Sequence, residues 1–515
     1  MIKAAYKHPI VLVAFSCLLF LEIANIFFNS SIATSFAILS SLITLGYSFL
    51  CNNTPNTILA RISLLIATLV MILLNAPNLY FFCFSVLVIL AVLHINKYEE
   101  DHTLFAIITL SFLLHLFYIE QTPLKARQHD LSGILAYMNY ITIGGLNWNN
   151  FVPWNMYYFF HQPLHFFLQG HLLNLFSYLF TSSILAHESL QFVSLFYTTS
   201  SVFIFIKSLK KLNFTGNILY ALSILFAFNP TLTLFSGFIS DDTPVLFWGT
   251  WCLYYTICWA QNQSLKNIIL LAIGFGLGVL TKLSLLMIAP ALGIFFLYQL
   301  IKRKDKVTLS HIAIFTTIAV PLSLIWVLRN HILFDMQFYN IPETSPWGQN
   351  FKLLSTFDRL TDFSMLFTPF IDAPTISDPN MLLALIKTEL FGEWDLGKIN
   401  PHIIPFAATL YGINIIIKIT TFLFCIYFIT KHRESLFSYT TLLAFTYILI
   451  WGYSINYAIS YPYICSNNYR LFALASLAEI ILLGNIINNR EYSKFMLIFS
   501  IVYAVLSTLI YTIIA

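Results

Sequence analysis

Charge is scarce in this chain: 9% of its 515 residues are Asp, Glu, Lys or Arg, against roughly 25% in an ordinary soluble domain. That shortfall excludes a water-soluble globule, and no nucleic-acid partner is expected. Cysteine is sparse as well, with seven scattered residues that lack metal-ligand spacing, which argues against a disulfide scaffold. There is no Walker motif, no dinucleotide fingerprint and no large aqueous domain, so any energy from ATP must be supplied elsewhere. Strand-like alternation separated by aqueous turns is missing, which excludes an outer-membrane barrel. The first apolar run has no clear small-residue cleavage site and a second run follows at once, unlike a cleavable signal peptide.

What the chain has is apolar length: 58% of its residues are hydrophobic and 50 are Phe. Windows of about 20 apolar residues can cross the hydrocarbon as helices. Fifteen are read here, at 9–28, 32–50, 58–76, 78–95, 103–119, 189–207, 215–236, 244–260, 267–281, 284–301, 309–327, 402–428, 436–456, 468–487 and 494–513. The fold class is therefore an all-α polytopic membrane protein. Residues 1–96 form a four-helix extension almost free of ionisable groups, and 97–515 form the main module.

Basic residues collect in cytoplasmic loops. With the N-terminus inside, sixteen Lys and Arg fall on the inner side, including those of "KSLKK" and "KRKDK", and nine on the outer side, while Lys418 lies within a span. Counting "HQPLHFFLQGHLLNLFSYLF" as a further span would reverse everything after it, so it is read as an interfacial or re-entrant helix with Pro163 near its first turn. Two long external segments result, 120–188 and 328–401. Loops of that length usually carry function, and both contain helical patches, "SGILAYMNYI" and "PNMLLALIKTELFG", expected along the membrane surface.

Ionisable residues within an apolar chain need a reason, and several share the outer side. Asp130 follows the fifth span beside His129; Asp241 and Asp242 stand in "GFISDDTPVLFW"; Lys282 interrupts "GLGVLTKLSLLM"; Arg329 ends the eleventh span; Arg470 opens the fourteenth. A carboxylate can orient an acceptor hydroxyl or amine and take its proton. Lysine and arginine can bind a phosphate and stabilise charge growing on it as it leaves. Together they suggest group transfer from a phosphate-linked lipid. The plainer alternatives are snorkelling to headgroups for Arg329 and Arg470, a solvated anchor for Lys282, and helix capping for Asp130, Asp241 and Asp242. For His161 and His165, interfacial structure competes with substrate contact.

The order of short motifs resembles the integral-membrane glycosyltransferases of the GT-C superfamily, similar to bacterial protein O-mannosyltransferases and to aminoarabinose transferases that modify lipid A. The resemblance runs from about residue 100 to the C-terminus. It rests on Asp130 in "QHDLSGILAYMNYI", on "YYFFHQPLHFFLQ", on "NPTLTLFSGFISDDTP", on "LTK" at 280–282, on "RN" at 329–330 and on "NNYRLFA". Gln162 replaces the first proline of a common "PPL" run, and Asp241–Asp242 replaces Asn–Asp in many relatives.

The resemblance implies a GT-C-type transmembrane helical fold in the cytoplasmic membrane of a bacterium, acting at its external face. The implied reaction is inverting transfer of a monosaccharide from a polyprenyl phosphate to a glycan, lipid or protein acceptor. Asp130 becomes the catalytic base, with His129, His161, His165, Asp241 and Asp242 positioning acceptor or sugar. Lys282, Arg329 and Arg470 become the ligands of the donor phosphate. No obligatory cofactor is expected; a divalent metal is an option that the residue spacing does not favour. Two alternatives stay open: a lipid-linked oligosaccharide ligase or polymerase, distinguished by a pyrophosphate donor, and a secondary transporter, for which no internal repeat is found.

Overall fold

The computed structural model describes residues 101–144, 152–154, 159–179, 182–336, 354–371, 378–431, 439–462, 464–487 and 490–514. The four spans expected before residue 97, and the boundary drawn there, lie outside the described residues. The chain divides into two compact units, 1–110 with 176–189 and 111–175 with 190–515. Of the first, the described residues are helical stretches at 102–110, 176–179 and 183–188. All contacts below belong to the second.

In chain order the helices are α1 (His102–Gln121), α2 (Leu131–Gly144), α3 (Leu164–Leu179), α4 (Ser183–Glu188), α5 (Gln191–Lys211), α6 (Gly216–Ala227), α7 (Pro230–Gly237), α8 (Asp242–Gln261) and α9 (Leu265–Thr281). There follow α10 (Ala289–Arg303), α11 (Lys306–Phe334), α12 (Thr356–Thr361), α13 (Met381–Phe391), α14 (Leu396–Ile399), α15 (Ile404–Lys431), α16 (Tyr439–Ser460), α17 (Ala475–Ile486) and α18 (Arg490–Ile514). Among the described residues six helices are long and apolar enough to cross a membrane, or seven if the bent pair α6–α7 is one span. The chain is a multi-pass membrane protein.

Each expected span from residue 103 onward meets a helix, and the helical course is interrupted at three places, one of them the junction between the expected spans 267–281 and 284–301. Between α6 and α7 the axis turns by 41°. Pro230 cannot continue the ladder, and the Asn229 side chain accepts from Thr231 N to start the new helix. After α9 the backbone extends at Lys282 (φ −158°, ψ 134°) and a 3-10 stretch, Leu283–Ile288, leads into α10. The third break corrects the expected span 468–487: two 3-10 turns, Ile464–Asn467 and Tyr469–Phe472, precede an α17 of only 12 residues. There the Asn468 side chain accepts from Arg470 N at 3.0 Å and caps the second of these turns, as Asn229 caps α7.

The helical patches read in the two long segments are α2, α3 and α13, with Pro163 just ahead of α3 and Gly392 ending α13. Helix α9 packs between α8 and α11. A Cβ at Gly274 would lie 2.2 Å from Trp251 Cδ1 of α8, so glycine is what allows that approach.

The two ends of the bundle differ in charge. At the C-terminal end of α8, Gln261 donates to the Lys211 carbonyl at 2.6 Å and Arg303 to the Ala260 carbonyl at 2.8 Å. That gathers the basic ends of α5 and α10 together. The N-terminal end of α8, about 30 Å away at 1.5 Å per residue, carries Asp242 and the residues described next.

Candidate active site

The short loop between α7 and α8, residues 238–241, and the first residue of α8 deliver two carboxylates, Asp241 and Asp242, into a buried position. Its backbone is held from several sides: Gln128 Nε2 donates to the Gly237 carbonyl at 2.5 Å, Ile239 N donates to Gln128 Oε1 at 3.1 Å, and the Ser194 hydroxyl donates to the Phe238 carbonyl. His165 Nε2 lies 3.1 Å from the Ile239 carbonyl. Asp241 takes the N-cap position of α8 without capping it. Its Oδ1 instead accepts from Lys282 Nζ at 2.9 Å, and its Oδ2 lies 3.2 Å from His161 Nδ1. Capping therefore does not explain Asp241. Burial alone would raise its pKa, but Lys282 and His161 outweigh that and hold it below the usual carboxylate range.

Lys282 reaches this pair because the helix breaks beneath it. Its Nζ also lies 2.5 Å from Asp242 Oδ1. Asp242 Oδ2 in turn accepts from Ser240 Oγ at 3.0 Å and from Arg470 Nη1 at 3.3 Å. The other terminal nitrogen of Arg470, Nη2, lies 3.4 Å from Asp130 Oδ2. A continuous chain thus runs His161–Asp241–Lys282–Asp242–Arg470–Asp130 across some 340 residues of sequence. Asp130 is its most open carboxylate, with 39% of the side chain exposed, whereas those of Asp241 and Asp242 are fully buried. Asp130 sits at φ 54°, a left-handed conformation that Asp and Asn tolerate better than most residues.

Arg329 lies in the last turns of α11 and is buried, not snorkelling. Its Nη1 donates to Asn330 Oδ1 at 2.7 Å, and the guanidinium stacks over Trp326 and Phe334 at 4.6 and 4.7 Å. Lys282 and Arg470 meet on Asp242, while Arg329 borders the chain near Tyr137, whose hydroxyl donates to the His161 carbonyl at 2.9 Å. Arg127, despite its place beside this stretch, belongs to the scaffold: it donates to the Ile514 carbonyl at 2.7 Å and faces the Tyr118 ring.

Three groups escaped the sequence reading. Glu393 follows Gly392, accepts from Asn468 Nδ2 at 2.7 Å and places Oε2 3.5 Å from His129 Nδ1. Lys418, noted only as a charge within a span, binds Glu389 at 2.7 Å and Glu479 at 2.5 Å, with Asn414 donating to Glu389 and Tyr447 to Glu479. Asp378 and Lys387 form a fully buried pair at 2.5 Å. The available signal for the middle group was a single charge in each of "INIIIKITT" and "ASLAEIILLG"; in hydrocarbon each needs an opposite partner. Among the described residues no three His, Cys, Asp or Glu side chains converge as a metal site.

Residues 182–337 match the family model described as dolichyl-phosphate-mannose-protein mannosyltransferase. That stretch holds Asp241, Asp242, Lys282 and Arg329 but neither Asp130 nor Arg470. Two solved structures are similar to the chain. One is ArnT from Cupriavidus metallidurans bound to undecaprenyl phosphate, at 14% identity and a TM-score of 0.37 over 79% of this chain and 76% of that one. The other is the apo state of ArnT, at 12% identity and a TM-score of 0.33 over 74% and 70%. No curated protein matches.

Proposed function

We propose that this protein is a membrane glycosyltransferase that moves a sugar from a polyprenyl phosphate to an acceptor at the external membrane face, with inversion at the anomeric carbon. The observation that carries the reading is the cluster itself: carboxylates and cations from four separate segments meet at the end of the bundle opposite its basic end. The family match over 182–337, which spans the Asp241–Asp242–Lys282 core, supports the same class.

The chemistry divides between the two kinds of charge. Arg470 contacts Asp130 and Asp242 at 3.4 and 3.3 Å, longer than the roughly 2.7–2.9 Å of a strong charge-assisted bond. A phosphate oxygen can therefore compete for it. Lys282 is held at 2.5 and 2.9 Å; it orders the two buried aspartates and adds positive charge behind the phosphate. Arg329 adds a third cation, held by aromatic rings.

Asp130 accepts the hydrogen bond of the acceptor O–H or N–H. As that oxygen or nitrogen bonds to the anomeric carbon, the bond from that carbon to the phosphate oxygen breaks, and its electron pair leaves with the polyprenyl phosphate. The proton goes to Asp130. His161 and Asp241 fix the neighbouring wall, and His165 holds the loop beneath it.

Asp130→Asn tests the assignment, since Asn tolerates the left-handed backbone and keeps most of the volume. A lost general base should lower turnover of a radiolabelled polyprenyl-phosphate sugar by roughly 10²- to 10⁴-fold with donor binding intact. Near-normal turnover would reject Asp130 as the base.

A further inference from the structure

Behind Asp130 lies a pair of titratable side chains that the reaction above leaves without a task. His129 precedes Asp130 in the chain, and its ring is clamped between Phe238, edge-on with centroids 5.5 Å apart, and Trp394 at 4.8 Å. Its Nδ1 faces Glu393 Oε2 at 3.5 Å, and both side chains are nearly enclosed, at 10% and 13% exposure. The other carboxylate oxygen of Glu393 is fixed by Asn468, which also holds Arg470 N.

This position is built with care. Gly392 adopts φ 65°, and a Cβ there would lie 2.2 Å from Trp394 Cζ3, so the turn that presents Glu393 and Trp394 to His129 excludes other residues. The charged groups around the pair are Asp130, Arg470 and Lys282.

From this arrangement we propose that His129 and Glu393 form a further acid–base pair of the site, which takes the acceptor proton on from Asp130 and holds it until the product leaves. The inference rests on the transferase reading. Handing the proton on restores the Asp130 carboxylate to its contact with Arg470 Nη2 at 3.4 Å. Glu393 suits uptake because burial raises its pKa more than Arg470 and Asn468 lower it. Before donor binds, burial together with Arg470 and Lys282 keeps His129 neutral.

Charge balance links uptake to the reaction. A sugar–phosphate diester carries one negative charge, and the departing lipid monophosphate carries up to two. As that charge grows against Arg470 and Lys282, it cancels their repulsion of a proton on the pair. One proton leaves the acceptor, one is bound between Nδ1 and Oε2, and it returns to water when the lipid phosphate departs.

The test uses the purified full chain in lipid nanodiscs with undecaprenyl phosphate as the probe, which needs neither sugar nor acceptor. Calorimetry in buffers of different ionisation enthalpy reads the protons exchanged on binding. The wild type should take up about one proton more than Glu393→Gln near neutral pH, with similar affinity, and His129→Gln should lose the same uptake. A merely structural role would leave proton uptake alone, whatever it did to affinity. Tight binding with equal proton uptake in wild type and both variants would overturn the pair and leave the transferase reading standing. If the probe does not bind the wild type at all, the transferase reading fails and takes the pair with it.

Discussion

Glu393 shows what a buried carboxylate does to stability. Its pKa is raised above the ordinary 4.5, first by burial and then by Asp130, with Arg470 and Asn468 opposing. A carboxyl raised on folding does not affect stability below its unfolded pKa; stability is then lost as pH rises through the folded pKa and stays lost above it. Gln keeps an acceptor for Asn468 and cannot ionise. Glu393→Gln should therefore melt about 1–3 °C above wild type at pH 8, with the gap closing toward pH 4; a differential scanning fluorimetry series would show it. A variant that melts lower at pH 8 would mean the ionised form is the stabilising one. Asp241 lies at the other extreme: Lys282 and His161 hold its pKa low despite burial, so its contribution is present at neutral pH and lost only in acid.

At the scale of elements, the breaks carry the site. Had α9 run straight into α10, Lys282 would sit on a helix surface; the extended backbone at 282 instead lets Nζ reach two carboxylates. Lys282→Met would leave Asp241 and Asp242 buried with less compensation, and breaking a buried pair from one side costs about 3–5 kcal/mol. The variant should express poorly or melt well below wild type, and Lys282→Met with Asp241→Asn should recover part of the loss. Failure of the double variant to recover anything would mean the lysine acts through packing. The turn at Asn468–Phe472 works similarly, carrying Arg470 to Asp130 and Asp242 while Thr388 Oγ1 of α13 accepts from Tyr469 N at 2.9 Å. Glu389, the next residue of α13, ties the same helix to Lys418 of α15 and, through it, to Glu479 of α17. The turn bearing Glu393 is thus anchored through a buried ion triad.

For the molecule as a whole, the difference in charge between the two ends of α8 predicts an orientation across the membrane. The end near Lys211 and Arg303 should face the cytoplasm, where basic loops accumulate, and the Asp130–Arg470 end should face outward. Single cysteines introduced in place of Lys304 and Lys125 should therefore react with an impermeant maleimide from opposite sides in sealed vesicles. Labelling of Lys304→Cys from outside would invert the arrangement and remove an externally flipped donor from the mechanism.

Sequence alone determined the class and, from residue 103 onward, where the helices lie, because hydrocarbon admits only long apolar helices or closed barrels and the apolar runs state their own length. It also marked Asp130, Asp241, Asp242, Lys282 and Arg470, since a charge in an apolar chain is conspicuous. Tertiary structure alone decided which of them meet. Asp242 finds Lys282 and Arg470 from 40 and 228 residues away, and no local pattern encodes such a contact. It also brought in Glu393, Glu389 and Glu479. Each sits in a run whose local spacing is satisfied by an ordinary helix or turn, and its meaning depends on an oppositely charged or proton-accepting partner that only the folded bundle supplies.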